Sequence, residues 1–246
     1  MRTFGRLLIA AGLAAVLATS ASAAALVEPK LHLRLSGEAH PRVALTLDAC
    51  GGRTDERILS ALVANRIPAT IFVTGTWLKR NTGALAMMKA HPDLFELEDH
   101  GARHIPAVDV PSTIYGLRSA GSAEAVTAEV EAGASALVGR GGPAPRWFRG
   151  ATAKYSQSSI AEIRRLGFRI AGFSVNGDGG SLLSAGETER RVSSARDGDV
   201  IIGHINQPTH AAGAGLVRGL LDLKAKGYAF VRLDDAEDAG TDSTTG

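Results

Sequence analysis

Apolar runs of strand length alternate along this chain with amphipathic stretches of helix length. The strand candidates are residues 43–47, 69–73, 95–97, 147–148, 170–175, 200–202 and 229–233. Helix candidates lie between them. Thr54 stands where it would cap a helix over 55–65, whose first turn is acidic, as the helix dipole favours. Over 123–138, Val126, Val130, Ala134 and Val138 recur every four residues and predict one apolar face. Ser159-Ile-Ala-Glu162 has the spacing of a capping box and opens a helix that Gly167 ends. A further helix over 213–226 stops at Gly227.

Strands alternating with helices, at spacings too long for hairpins, imply parallel strands joined by right-handed crossovers. About seven such units in one domain predict an α/β fold, a distorted (β/α) barrel. Sites in such barrels gather at the C-terminal ends of the strands. Asp48, His100, His104, Arg149, Asp178 and His204 all fall at such ends. The stretch 105–122, with Pro106, Pro111 and two glycines, reads as a loop over the barrel mouth. The barrel domain is expected over 41–236, with 24–40 a peripheral extension and 237–246 a disordered tail rich in Gly, Ser and Thr.

The first residues change the charge picture. Arg2 and Arg6 lead into an apolar run from Leu7 to Ala18, and Ala21-Ser22-Ala23 follows. This is the pattern of a secretory signal peptide over 1–23, so a secreted or periplasmic protein is expected, with no stable membrane insertion after cleavage. The arginines are not adjacent, so a twin-arginine signal is not indicated. Cleavage removes two of 27 basic residues and none of 25 acidic ones, leaving 25 against 25 and no net charge. No basic run argues for nucleic acid. The single cysteine, Cys50, excludes an intramolecular disulfide despite the oxidising compartment. Nothing in the pattern fixes an oligomeric state.

His100 and His104 carry the candidate chemistry. Imidazoles at i and i+4 point the same way where the backbone turns helically, and both can then grip one metal ion. His32, His40, His91 and His210 lack such neighbours and read as ordinary histidines.

The neighbours of the pair, in order, resemble the polysaccharide deacetylases, the family-four carbohydrate esterases that share the nodulation-protein deacetylase domain. Thr46-Leu-Asp-Ala-Cys50 stands for the family's Thr-Phe-Asp-Asp-Gly, and His100-Gly-Ala-Arg-His104 for its His-Ser/Thr-x-x-His. Trp147-Phe-Arg-Gly-Ala-Thr152 matches the segment carrying Arg-Pro-Pro-Tyr. Asn176-Gly-Asp178-Gly179 stands for a strand-ending Asp-Trp, and Gly198-Asp-Val-Ile-Ile-Gly-His204 for Gly-Asp-Ile-Ile-Leu-x-His. The resemblance covers 41–236. It implies removal of N-acetyl groups from N-acetylglucosamine-containing glycans, peptidoglycan or chito-oligosaccharide. It also implies a divalent metal, zinc before others, on His100 and His104. Asp48 is then the general base and His204 the acid that protonates the departing amine. Arg149 steers Asp48, and Asp178 holds His204. A backbone N–H near Arg149 or Tyr155 supports the oxyanion.

The chain departs from the family at two places. The family's metal carboxylate is the second Asp of its first motif, here Ala49. Catalytic zinc usually has three protein ligands, so the third is left open between Asp48, Cys50 and none, the last being a barrel that has lost catalysis. On an extended strand, residues 48 and 50 face the same way and 49 faces away. In addition, Gly150-Ala-Thr152 and Gly179 replace residues that include groove-lining aromatics, leaving Tyr155, Trp77 and Phe173 as compensating candidates. The alternatives on the same fold are an O-acetyl ester or cyclic-amide hydrolase, or a glycan-binding barrel without catalysis.

Overall fold

The computed structural model describes residues 25–34 and 40–237; the expected signal peptide and the tail beyond 237 lie outside the described residues. The strands are β1 (Arg42–Ala49), β2 (Ala69–Val73), β3 (Phe95–Asp99), β4 (Thr113–Ile114), β5 (Leu117–Arg118), β6 (Trp147–Phe148), β7 (Arg169–Ile170), β8 (Val175–Asn176), β9 (Val200–His204) and β10 (Ala229–Val231). The helices are α1 (Glu56–Ala64), α2 (Gly75–Arg80), α3 (Thr82–Ala90), α4 (Ala123–Val138), α5 (Gln157–Arg165), α6 (Ala185–Ser193) and α7 (Ala212–Ala225). No described helix is long and apolar enough to cross a membrane.

Eight of the strands form one parallel sheet in the order β7-β6-β3-β2-β1-β9-β8, with β10 paired to the start of β1. All seven strand candidates are present. The run expected over 170–175 appears as β7 and β8, the two ends of one segment broken at residues 171–174. That segment joins both edges of the sheet, so the sheet curls into the distorted barrel the alternation predicts. Arg149 accounts for the break: its guanidinium takes the carbonyls of Ala171 and Gly172.

Alternation along β1 builds the two sides of the wall. Val43, Leu45, Leu47 and Ala49 enter the core between sheet and helices, while Ala44 joins the barrel interior with Phe72, Val200 and Ile202. Leu31 and Leu33 join this interior core and are each 3 % exposed. Residues 25–34, expected to be peripheral, therefore lie against the barrel and turn Leu31 and Leu33 into its interior, while Lys30, His32 and Arg34 stay exposed. Val27 exchanges backbone hydrogen bonds with Tyr155, and Phe173 donates to the Pro29 carbonyl.

Several helix boundaries differ from expectation. Asp55 caps α1, while Thr54 donates its hydroxyl to Asn81. Ser156 caps α5, three residues ahead of the expected Ser159. The buried face of α4 is Val126, Glu129, Val130, Gly133 and Leu137, and Val138 is 50 % exposed. A strict four-residue spacing drifts around a helix of 3.6 residues per turn, so the stripe moves from 134 and 138 to 133 and 137. The predicted loop over 105–122 carries the β4–β5 hairpin, with Tyr115 at its tip.

Candidate active site

The inward positions at the end of β1 are Thr46 and Asp48. Arg149 follows β6 and is wholly buried. Its Nη1 donates to Asp48 Oδ1 at 3.0 Å and to Thr46 Oγ1 at 2.9 Å. Its Nε and Nη2 reach the Ala171 and Gly172 carbonyls at 3.1 and 3.0 Å, and the guanidinium lies 4.4 Å from the centre of the Phe72 ring. A planar fork with this many fixed acceptors holds Asp48 in one orientation. Burial works against ionising Asp48. The positive charge of His100, Arg149 and His204 outweighs it and holds the carboxyl below its usual range.

β3 ends at Asp99, and the two histidines follow. The segment between them is a bend, not the helical turn the spacing suggested: Gly101 has φ 82° and His104 φ 67°. Buried acids set this shape. Glu129 Oε1 accepts the N–H groups of Arg103 and Ile105 at 2.8 and 3.1 Å, and Asp99 Oδ1 accepts that of Gly101 at 2.8 Å. The pair still converges, with ring centroids 5.0 Å apart. His100 Nδ1 faces the Arg149 carbonyl at 2.5 Å. A carbonyl only accepts, so Nδ1 is the donor and Nε2 is left free to ligate. Nε2 lies 3.8 Å from Asp48 Oδ2 and 3.5 Å from Cys50 Sγ. Burial opposes charge on His100, yet Asp48 and Cys50 raise its pKa to about 9. The same negative surroundings favour a metal cation at Nε2 in place of the proton.

Cys50 leaves the end of β1 toward these rings, and its carbonyl accepts from the Thr74 hydroxyl. The ligand atoms of Cys50, His100 and His104 all lie within 4.8 Å of one another. Two imidazoles and a thiol are donors that zinc accepts, so the residues present fit a divalent metal. Across the pocket, His204 ends β9. Its Nδ1 lies 3.0 and 3.2 Å from the two oxygens of Asp178, and its backbone N–H donates to Asp178 Oδ2 at 2.7 Å. Burial opposes a charge on His204, but Asp178 outweighs it and lifts its pKa well above the usual value. Nδ1 is occupied, so Nε2 is the nitrogen offered to the pocket.

Asp48, Cys50, His104 and His204 line one pocket of about 590 Å³, with Asn206 and Thr152 in its wall. Arg149, Asp178 and His100 stand behind them. All six expected residues thus meet at the C-terminal end of the sheet. The N–H groups of Arg149 and Tyr155 donate to the Asp99 and Val27 carbonyls, so neither of these two faces an oxyanion. Of the aromatic candidates, Phe173 lines the pocket, whereas Trp77 and Tyr155 are wholly buried. Thr152 and Ala153 have φ of 70° and 51°, strained for residues with a side chain, in the turn that replaces the family's prolines. Sequence reasoning missed Glu129. Its signal was present, since an acid on the apolar face of α4 needs buried donors.

A second acidic cluster, Glu96, Glu98 and Asp234, lies lower in the barrel. Glu98 accepts the N–H groups of Arg146 and Trp147, and Glu96 that of Asp234. Burial pushes Glu98 up to about 9, so it is neutral at pH 7. These carboxyls tie chain segments together at the barrel floor.

A polysaccharide deacetylase family model matches residues 37–171, more than half of the chain. The chain belongs to the polysaccharide deacetylase family. No curated protein sequence matches it. Similar solved structures include a peptidoglycan N-acetylglucosamine deacetylase, Bc1960, at 18 % identity and TM-score 0.67, covering 85 % of this chain and 92 % of that one. The family 4 carbohydrate esterase from Streptomyces lividans, in complex with acetate, is 21 % identical at TM-score 0.61, covering 77 % and 91 %. BA3943, a family 4 pseudoenzyme from Bacillus anthracis, is 19 % identical at TM-score 0.62, covering 80 % and 65 %. At these identities the likeness establishes the fold alone. A deacetylase family whose structural neighbours include a pseudoenzyme leaves activity to be argued from the site.

Proposed function

We propose that this protein is an exported, metal-dependent deacetylase that removes N-acetyl groups from N-acetylglucosamine-containing glycans, peptidoglycan or chito-oligosaccharide. One observation carries the reading. An anionic carboxylate fixed by Arg149 and an imidazole fixed by Asp178 face one pocket, which Cys50 and His104 of a group able to hold a metal also line.

His100 and His104 hold the metal, zinc before other divalent ions. Bound there, it supplies Lewis acidity to the acetyl carbonyl and its developing oxyanion, and acidifies the attacking water. Asp48, held ionised below its usual range, takes the proton of that water. Arg149 presents Asp48 and neutralises it without leaving the wall. Asp178 raises the pKa of His204 and so favours its protonated form against the opposing effect of burial, and Nε2 delivers that proton to the departing amine, a poor leaving group without one. Thr152 and Asn206 line the pocket, and their Oγ1 and Oδ1 are buried without a hydrogen-bond partner among the described residues. The signal-peptide pattern supports export to the periplasm or beyond, where such glycans lie.

The test compares matched substrates. Zinc-loaded protein should release acetate from N-acetylglucosamine oligomers and not from acetylated xylan. Acetate from the xylan alone would assign the site to an O-acetyl ester instead.

A further inference from the structure

We infer that Cys50 is the third metal ligand, in the place of the absent carboxylate, and that Asp48 is thereby left to act as base. The inference rests on the metal-hydrolase reading above and deepens it. Its grounds are geometric.

Ala49, where the family carries its metal carboxylate, is wholly buried and turned into the core between sheet and helices. No ligand is available from that position. The next residue turns back toward the histidines. Cys50 Sγ stands 3.5 Å from His100 Nε2. A tetrahedral zinc with sulfur at about 2.3 Å and nitrogen at about 2.05 Å separates those two atoms by about 3.6 Å. Cys50 therefore already sits at the spacing of two ligands on one ion.

Asp48 is less well placed. Its Oδ1 is engaged by Arg149, and its Oδ2 lies 3.8 Å from His100 Nε2. An oxygen and a nitrogen on one zinc stand about 3.4 Å apart. The donor atoms that come together within 4.8 Å are those of Cys50, His100 and His104.

Gly52, two residues after Cys50, permits a close approach. A Cβ on Gly52 would lie 2.2 Å from the Asn206 carbonyl, so the chain is pressed against the loop after β9. With the Cys50 carbonyl held by Thr74 on one side and the chain held by this contact on the other, the backbone that presents the thiol is fixed.

The resulting Cys-His-His site differs from an Asp-His-His one in softness. Thiolate ligands select for zinc over magnesium or calcium. They also donate more charge than a carboxylate, which tempers the acidity of a bound water.

X-ray absorption on the zinc-loaded full chain tests this without reference to activity. One sulfur scatterer at about 2.3 Å, beside nitrogens near 2.05 Å, is expected. Asp48→Asn should keep the sulfur shell. Cys50→Ser should lose it and weaken zinc binding by more than the ~10- to 100-fold that removing an outer partner costs. Zinc bound at one equivalent with only nitrogen and oxygen neighbours would overturn the inference while leaving the metal-hydrolase reading intact. A folded protein that binds no zinc would overturn both.

Discussion

At the scale of single residues, the proposed function assigns acid and base to two buried pairs. Asp48 and His204 each carry a charge that burial opposes and a neighbour restores, and the signs are opposite. A base whose pKa is lowered stays ready from acidic pH upward. An acid whose pKa is raised stays protonated until that raised value is passed. Ionisation of Asp48 should therefore not limit turnover at acidic pH, where loss of the metal as its histidine ligands protonate comes first, and turnover should fall only above the ordinary histidine range. Asp178 is the main source of the second limit. Asp178→Asn removes its negative charge, lowers the pKa of His204 and brings the alkaline limb of kcat/KM to lower pH. The neutral amide still accepts from Nδ1, so part of the orientation survives. A pH profile with an unmoved alkaline limb would show that His204 is not the titrating acid. The pair of Arg149 and Asp48 is less forgiving, because separating a buried pair leaves an uncompensated charge at a cost of ~3–5 kcal/mol.

At the scale of elements, α4 shapes the loop that carries His100 and His104 from behind. Gly133 has no room for a side chain: a Cβ there would lie 2.2 Å from Asp99 Oδ1 and 2.6 Å from the Gly101 carbonyl carbon. Gly133→Ala gains about 1 kcal/mol in helix propensity, yet it must push the loop carrying His100 and His104 outward. Zinc affinity should fall ~10- to 100-fold, with the far-ultraviolet circular dichroism unchanged. Unaltered affinity would mean that the loop tolerates the shift and α4 does not position it. This element also marks how much was legible in advance. The bounds of α4 and the strand ends that carry all six site residues follow from local pattern, since burial imposes its period on the sequence. The shape of the His100–His104 bend does not, because it depends on Glu129 and Asp99 reaching backbone N–H groups across the fold. The capping residues Asp55 and Ser156 were missed for a related reason: neighbouring Thr and Ser offer equal local chemistry, and only packing chooses between them. Cys50 was read as one of several open choices, and what brings it beside the histidines is the close approach of β1 and the loop after β9.

At the scale of the whole molecule, the barrel closes through Arg149, the arginine that also holds Asp48. The wall is interrupted between β7 and β8. Arg149 fills the inside of that gap, and residues 25–34 cover it and deliver Leu31 and Leu33 to the interior. A segment that composition alone marks as peripheral is thus part of the core, because strand-like pattern is weak in a stretch only a few residues long. Gly172 makes the close approach feasible: a Cβ there would lie 2.4 Å from the Pro29 carbonyl oxygen. Fold and site are in this sense one construction, and catalysis by the intact, metal-loaded chain is the claim on which the rest stands. The direct test measures acetate released from N-acetylglucosamine oligomers by wild-type protein and by Asp48→Asn, with zinc content determined on the same samples. Acetate from the wild type, a loss of ~10²- to 10⁴-fold in the variant, and equal zinc in both are expected. A zinc-replete wild type that releases no acetate, or a variant that loses its zinc together with its turnover, would contradict that claim.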